Sequence, residues 1–266
     1  MSTPTSTPPR PRWGNGTLLR TGHRLHWWVE VACVLAYYGI YSTIRNASNA
    51  DPVDAFRHAR QVISFERALA IYHEQALHEW ARSIRPLIIT CNYFYGSLHF
   101  VVTIGVGIFL FRRFPDDYPR WRNTLAVATG LALIGFWGYQ LMPPRLLPTR
   151  YGFVDTLAKY PTFWSFNSGA ISKLSNQYAA MPSVHCCWAL WCACVLVPRL
   201  RRPWAKVLAA SYPVLTVVVI VFTANHYFVD ALGGFTILGI GYVVAGRCTR
   251  AGRSSATKVT TTSRTA

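Results

Sequence analysis

Six apolar runs, at about 25–44, 86–111, 123–142, 184–199, 204–224 and 228–246, dominate this chain of 266 residues and leave few folds open to it. A helix needs roughly 20 mostly apolar residues to cross the hydrocarbon of a bilayer. The runs are too long for strands and do not alternate polar with apolar. A lipid-exposed backbone must also satisfy its hydrogen bonds within the segment. The expectation is an all-α, polytopic membrane protein, a six-helix bundle over residues 23–248 between disordered cytoplasmic tails at 1–22 and 249–266. The fourth run is short unless its helix reaches back to Pro182, which a first helical turn tolerates.

Charge sets the orientation. The chain is 52% hydrophobic yet carries a net charge of +17, a pairing unusual for a soluble globule and one that resolves if charge is confined to loops. Most of the 27 Lys and Arg fall in the N-terminal tail, the loops around Arg112–Arg122 and Arg199–Lys206, and the C-terminal tail. With six spans these four segments share one side, and the positive-inside rule makes that side cytoplasmic. The sequence therefore predicts a multi-pass protein of the cell membrane with both termini cytoplasmic. Topology accounts for the excess charge, so nothing points to nucleic acid. The tail 1–22 lacks a short apolar core ending in a small-residue cleavage site, so no cleaved signal peptide is expected.

The outer segment 45–85 is nearly neutral, because Asp51, Asp54, Glu66, Glu74 and Glu79 offset its basic residues. From Asp51 to Trp80, Val53, Phe56, Ile63, Leu69 and Leu77 recur at helical spacing, which predicts one or two amphipathic helices along the outer interface. Such helices can act as a lid that seals the bundle. Alternatively, Arg45 or Arg57 grips an anionic head group, since a planar guanidinium matches phosphate oxygens.

Two strings open on that same outer face: Met181-Pro182-Ser183-Val184-His185 and Asn225-His226-Tyr227-Phe228-Val229-Asp230. On a helix, His226 and Asp230 share a face, so the carboxylate can hold the imidazole in one tautomer. Pro143-Pro144-Arg145 ends the third run and leaves its arginine level with both strings. His99 falls near the middle of the second run, where a titratable group is costly and either functional or bonded, neutral, to a helix carbonyl. The cysteines lie mainly inside apolar runs without the spacing of a zinc site, so neither metal nor cofactor is expected. Gly233-Gly234 reads as a place where helices approach closely.

In this order, Pro143-Pro144-Arg145, then Asn176-Gln177-Tyr178-Ala179-Ala180-Met181-Pro182-Ser183-Val184-His185, then Asn225 to Asp230, the chain resembles the type 2 phosphatidic acid phosphatase (PAP2) superfamily. It is most similar to the branch that includes inositol phosphorylceramide synthases. Tyr95 with His99, Pro115 to Arg122 and Gly152-Phe153-Val154-Asp155-Thr156 fit that branch too.

The resemblance implies an outward-facing site and a phosphohistidine intermediate. His226 would be the nucleophile on phosphorus and Asp230 its orienting carboxylate, with His185 as general acid and then base. Arg145, Ser183, Asn225 and backbone N–H groups at the fourth helix start would hold the phosphoryl oxygens. The substrate would be a lipid phosphate or phospholipid in the membrane. Water, or an alcohol acceptor such as inositol, would resolve the intermediate.

Two departures stand out. Gly138 occupies the place of the superfamily's lysine before Arg145, and Val219-Ile220 stand where it has a Ser-Arg pair. Either Arg45, Arg57 or Arg150 substitutes, or the substrate carries less phosphate charge, as a phosphodiester donor for a transferase would. Two other classes stay open: an intramembrane serine hydrolase using Ser183 and His226, disfavoured because no Gly-x-Ser-x-Gly elbow is present, and a non-catalytic transport or binding protein.

Overall fold

The computed structural model describes residues 16–19, 22, 24–47, 51–160 and 177–262, with side chains as far as 247. In chain order its helices are α1 (Trp27–Asn46), α2 (Pro52–Ala68), α3 (Glu74–Ser83), α4 (Arg85–Arg113), α5 (Tyr118–Gly138), α6 (Thr156–Lys159), α7 (Val184–Leu196), α8 (Pro203–Phe222) and α9 (Phe228–Thr262). Among the described residues, the β-structure is a pair of two-residue antiparallel strands, β1 (Thr17–Leu18) and β2 (Arg24–Leu25), and a single parallel bridge between Leu141 and Ala179. The tail expected to be disordered over 1–22 lies mostly outside the described residues, as does Asn176. Where the tail is described, Leu19 is buried with Leu25 against Val106, Leu110 and Tyr118. At the other end, α9 continues to Thr262 through Ser- and Thr-rich residues that composition reads as a tail.

Among the described residues, three helices are long and apolar enough to cross a membrane: α4, α8 and the Phe228–Arg247 part of α9. Helices α1 and α5 have comparable lengths of 20 and 21 residues, but Glu30 and Arg45 in the first, and Arg120 and Arg122 in the second, dilute their apolar character. Helix α7 departs from the expected 184–199. Ser183 caps it, Pro182 precedes it, and it spans 13 residues, about 20 Å at 1.5 Å per residue. Val197 keeps helical backbone and donates its N–H to the Ala193 carbonyl, but Pro198 has no N–H to continue the ladder, and the helix stops there.

What α7 lacks in length it makes up in position. It packs against α4, α5, α8 and α9, and Cys186, Cys187, Ala189, Trp191, Cys192 and Val195 are buried around it. A helix apolar on every side belongs at a bundle centre. Its neighbours expose large apolar side chains outward, such as Leu35 on α1, Ile104 on α4, Ile134 on α5, Leu208 on α8 and Leu232 on α9. So much exposed apolar surface marks a lipid-facing belt.

At one end of this arrangement Arg122 donates both its Nη1 contacts to the Glu30 carboxylate at 2.6 Å, joining the starts of α1 and α5. Arg199 pairs with Asp117 at 2.6 Å, joining the end of α7 to the start of α5. The opposite helix ends carry the His and Arg strings. Over them lie the two amphipathic helices read from the sequence. Asp51 caps α2 by accepting the Val53 N–H at 2.8 Å. The α2 face of Ala55, Ala59, Val62 and Ile63 packs on Leu141, Met142, Leu147, Phe153 and Tyr227. Ala70, at φ 56°, turns the chain from α2 towards α3.

Candidate active site

The turn between α8 and α9 presents the first histidine. Ala224 adopts the left-handed conformation at φ 53°, as a helix C-terminus often requires but alanine rarely provides. The N–H groups of Asn225 and His226 then both return to the Ile220 carbonyl, at 2.9 and 3.3 Å. His226 thus precedes α9 instead of lying on it. The expected contact with Asp230 forms all the same, because the chain folds back: Asp230 Oδ2 accepts the Tyr227 N–H at 3.0 Å and lies 3.2 Å from His226 Nδ1. An ionised carboxylate can only accept, so Nδ1 carries the proton and Nε2 keeps its lone pair. Asp230 is fully buried and His226 nearly so.

The second histidine is placed by close packing. Pro182 wedges between Gly135 of α5 and Gly233 of α9, where a methyl group on Gly233 would stand 3.1 Å from the Pro182 Cβ. A methyl on Gly234 would run into the Ser183 carbonyl oxygen. The glycine pair therefore does permit the close approach inferred from sequence, and Gly135 joins it. Ser183 donates its N–H to the Asp230 carbonyl at 2.9 Å, so the starts of α7 and α9 are bonded directly. His185 consequently faces His226 with ring centroids 5.8 Å apart, edge to face.

Helix α4 supplies the wall behind them. A π-helical turn at Phe94–Leu98 interrupts its regular bonding, a distortion frequent at functional sites. Tyr95 stacks on His185 at 4.2 Å. His99 contacts His185 at the same centroid distance, and its Nδ1 lies 3.0 Å from the Tyr95 carbonyl. His99 thus makes the helix-carbonyl bond open to it while still touching the site.

Of the cations, Arg145 is held most firmly. Its N–H donates to the Ala224 carbonyl at 2.8 Å, its Nε to Asn225 Oδ1 at 3.0 Å and its Nη1 to Asp155 Oδ2 at 2.8 Å. Asn225 in turn donates Nδ2 to Thr223 Oγ1 at 2.8 Å. Arg45, at the end of α1, is close enough for its charge to act on both Tyr95 and His185. Arg57 and Arg150 are not brought in. Arg57 is exposed and paired with Asp54 at 2.9 Å, because Ala55 and Ala59 take the inward face of α2. Arg150 is exposed and lies over the rings of Tyr151 and Phe56. Ser183 is fully buried, and its hydroxyl faces the Cys186 N–H as a helix cap, not a substrate or either histidine.

Three residues that the sequence reading left as charge or lid emerge here. Glu66 and Glu74 are wholly buried and accept the Val229 and Phe228 N–H groups at the start of α9. Burial, reinforced by the hydrogen bond that a protonated Glu66 donates to Glu74, raises the Glu66 carboxyl far above the usual range. His78 is bonded on both ring nitrogens: Nδ1 lies 2.7 Å from the Phe222 carbonyl, and Nε2 accepts the Val154 N–H at 3.2 Å. That pattern requires a neutral ring, consistent with burial lowering its pKa. The only signal of these roles in the sequence was the placing of Glu66 and His78 on the apolar faces of their helices.

Among the described residues, no group of three or more His, Cys, Asp or Glu side chains is arranged to hold a metal ion. Cys33, Cys91, Cys186, Cys187, Cys192 and Cys194 are free thiols. No curated protein and no solved structure matches the chain. A family model does, over residues 60–244, a stretch that includes Arg145, His185, His226 and Asp230. The chain belongs to the PAP2 superfamily, which brings a membrane setting and phosphatase-type phosphoryl transfer on lipid phosphates.

Proposed function

We propose that this protein cleaves a lipid phosphate ester by double displacement through a phosphohistidine. The observation that carries this is the pair of imidazoles at 5.8 Å with a buried carboxylate behind only one of them. His226 Nε2 attacks phosphorus as the P–O ester bond breaks, and His185 gives its proton to the departing alcohol. In the second step, water or an acceptor hydroxyl loses a proton to His185 as its oxygen bonds to phosphorus and the N–P bond breaks. Arg145 and Asn225 hold the phosphoryl oxygens. The first N–H groups of α7 have no acceptor within the helix; that of Cys186 faces Ser183, and those of Val184 and His185 serve the developing charge.

This reading places α1, α4, α5, α7, α8 and α9 across the membrane, with the site at the extracytoplasmic end and both termini inside. In its favour, successive helices reverse direction relative to the site, the outer faces are apolar, and the basic loops gather at the far end beside the Glu30–Arg122 and Asp117–Arg199 pairs. The buried, helix-capping Ser183 disfavours a serine hydrolase, and a transporter would have no need of the His226–Asp230 pair.

A second observation favours head-group transfer over hydrolysis. The Arg145 charge is already offset by Asp155, at 2.8 Å. Gly138, Val219 and Ile220 supply none of the superfamily's remaining cations, and Val219 and Ile220 are buried. That leaves Arg45 as the further cation whose charge reaches His185, and a site with Arg145 offset and one other cation suits a phosphodiester, with one negative charge, better than a phosphomonoester with up to two. Inositol phosphorylceramide synthase chemistry, with a phospholipid donor and inositol or another alcohol as acceptor, is of that kind. The test uses protein in phospholipid vesicles. Free phosphate from phosphatidic acid, abolished by His226→Ala, supports hydrolysis. Diacylglycerol released from a phospholipid only when an alcohol is added supports transfer. Neither product from either donor would refute the proposal.

A further inference from the structure

Glu66 lies at the end of α2 and Glu74 at the start of α3, and both are buried completely. Glu66 Oε1 accepts the Val229 N–H at 2.9 Å, and Glu74 Oε1 accepts the Phe228 N–H at 3.1 Å. The preceding N–H, that of Tyr227, goes to Asp230 at 3.0 Å. Three consecutive N–H groups at the start of α9, which a helix cannot satisfy by itself, are therefore all received by carboxyl groups. The remaining oxygens, Glu66 Oε2 and Glu74 Oε2, are buried without another donor. The two carboxyl groups act directly on each other, and burial together with that contact raises the Glu66 carboxyl, so Glu66 holds its proton towards Glu74.

We propose that Glu66 and Glu74 are positioning residues of the active site: by gripping the N–H groups of Phe228 and Val229, they fix the turn that sets the Asp230 carboxylate against His226. Both gripped residues lie within the stretch from His226 to Asp230, so a tilt of that turn moves carboxylate and imidazole relative to each other. The two helices over the site thus do more than seal it. They hold its nucleophile in register, and a movement of α2 or α3 would be felt at His226. This inference rests on the phosphohistidine reading above.

The experiment compares the full-length protein with Glu66→Gln, Glu66→Asp and Glu66→Ala, and the same three changes at Glu74, in detergent with two donors, a short-chain phosphatidic acid without an alcohol and a short-chain phospholipid with an alcohol acceptor. Glutamine keeps an acceptor oxygen at full reach, and its amide can donate to the neighbouring carboxyl group. It should leave kcat within about threefold, whereas aspartate, one methylene short, and alanine should lower kcat on the order of 10²-fold with KM little changed. In an Asp230→Asn background, Glu74→Ala should cost almost nothing more, because both changes disturb one unit.

Alanine variants with unaltered kcat, or costs that simply multiply in the double variant, would overturn the inference. Should the alanine variants fail to fold, the order of the other two decides: aspartate more active than glutamine overturns it. If wild type turns over and His226→Ala does not, while every glutamate variant matches wild type, only this inference fails. If wild type releases no product under either condition, the function proposed above fails and this inference with it.

Discussion

His185 and His226 stand edge to face with ring centroids 5.8 Å apart, and only His226 has a carboxylate at its Nδ1. That asymmetry assigns the roles. Replacing His226 with alanine should remove turnover altogether. Replacing His185 should slow it by about 10²- to 10⁴-fold, the usual worth of a general acid, and a donor with a good leaving group such as p-nitrophenol should recover much of the loss. Asp230→Asn should also cost several orders of magnitude, with KM little changed. Steady-state kinetics on the three variants checks the assignment.

Arg145 is bonded to Asn225, Asp155 and the Ala224 carbonyl at once. A lysine keeps the charge but not the fork that reaches Asn225 and Asp155 together. Arg145→Lys should therefore raise KM and lower kcat together. Asp155→Asn, which frees the guanidinium charge, should improve use of phosphomonoesters relative to phosphodiesters. The ratio of kcat/KM for the two donor types measures this, and an unchanged ratio would count against Asp155 as the residue that limits charge at the site.

Close packing between α7 and α9 makes a prediction about stability. Gly234→Ala would push a methyl group into the Ser183 carbonyl, and overpacking of this kind costs about 1–3 kcal/mol. Gly107→Ala, on α4, meets nothing within 4 Å and should be neutral or stabilise by roughly 0.5–1 kcal/mol. Thermal unfolding in detergent distinguishes the two, and Gly234→Ala should also lose activity because His185 shifts with Ser183.

Two groups near α2 and α3 make stability depend on pH in opposite directions. Burial and the bond it donates to Glu74 raise the Glu66 carboxyl from its ordinary value to about 9, so the folded state binds its proton more tightly. The stabilisation is complete below the unfolded value and is lost as pH rises towards about 9. Asp230, Tyr72 and Tyr227 face the same pocket, and the first adds to the repulsion. His78 behaves oppositely: its pKa is lowered by burial, so its contribution is present above the unfolded value and lost as pH falls. Glu66→Gln should flatten the alkaline decline in unfolding temperature and leave the acid limb in place.

The long helices were legible in the sequence because an apolar run and a spanning helix are nearly the same thing; α4, α8 and the apolar part of α9 begin and end within a few residues of the runs. Helix α7 begins at Val184 as expected but ends at Leu196 instead of 199, because a central helix is apolar on every side and the hydropathy runs on past the point where Pro198 interrupts the hydrogen bonding. The His226–Asp230 contact was anticipated from helical spacing, yet His226 lies outside the helix and the contact depends on the turn at Ala224, which no periodicity reports. Arg57 was singled out for its charge, but Ala55 and Ala59 decide which way α2 faces. Glu66 is marked in the sequence by its place on the apolar face of α2, but its role and that of Glu74 are not, because their partners are backbone N–H groups more than 150 positions away. Such groups carry no sequence signature.

The most direct test is to quench the enzyme during turnover of a phosphorus-labelled lipid donor and map the acid-labile label. The account predicts label on His226, greater accumulation in a variant whose second step is slowed, and none in His226→Ala. Label on another residue, or turnover that persists in His226→Ala, would contradict it.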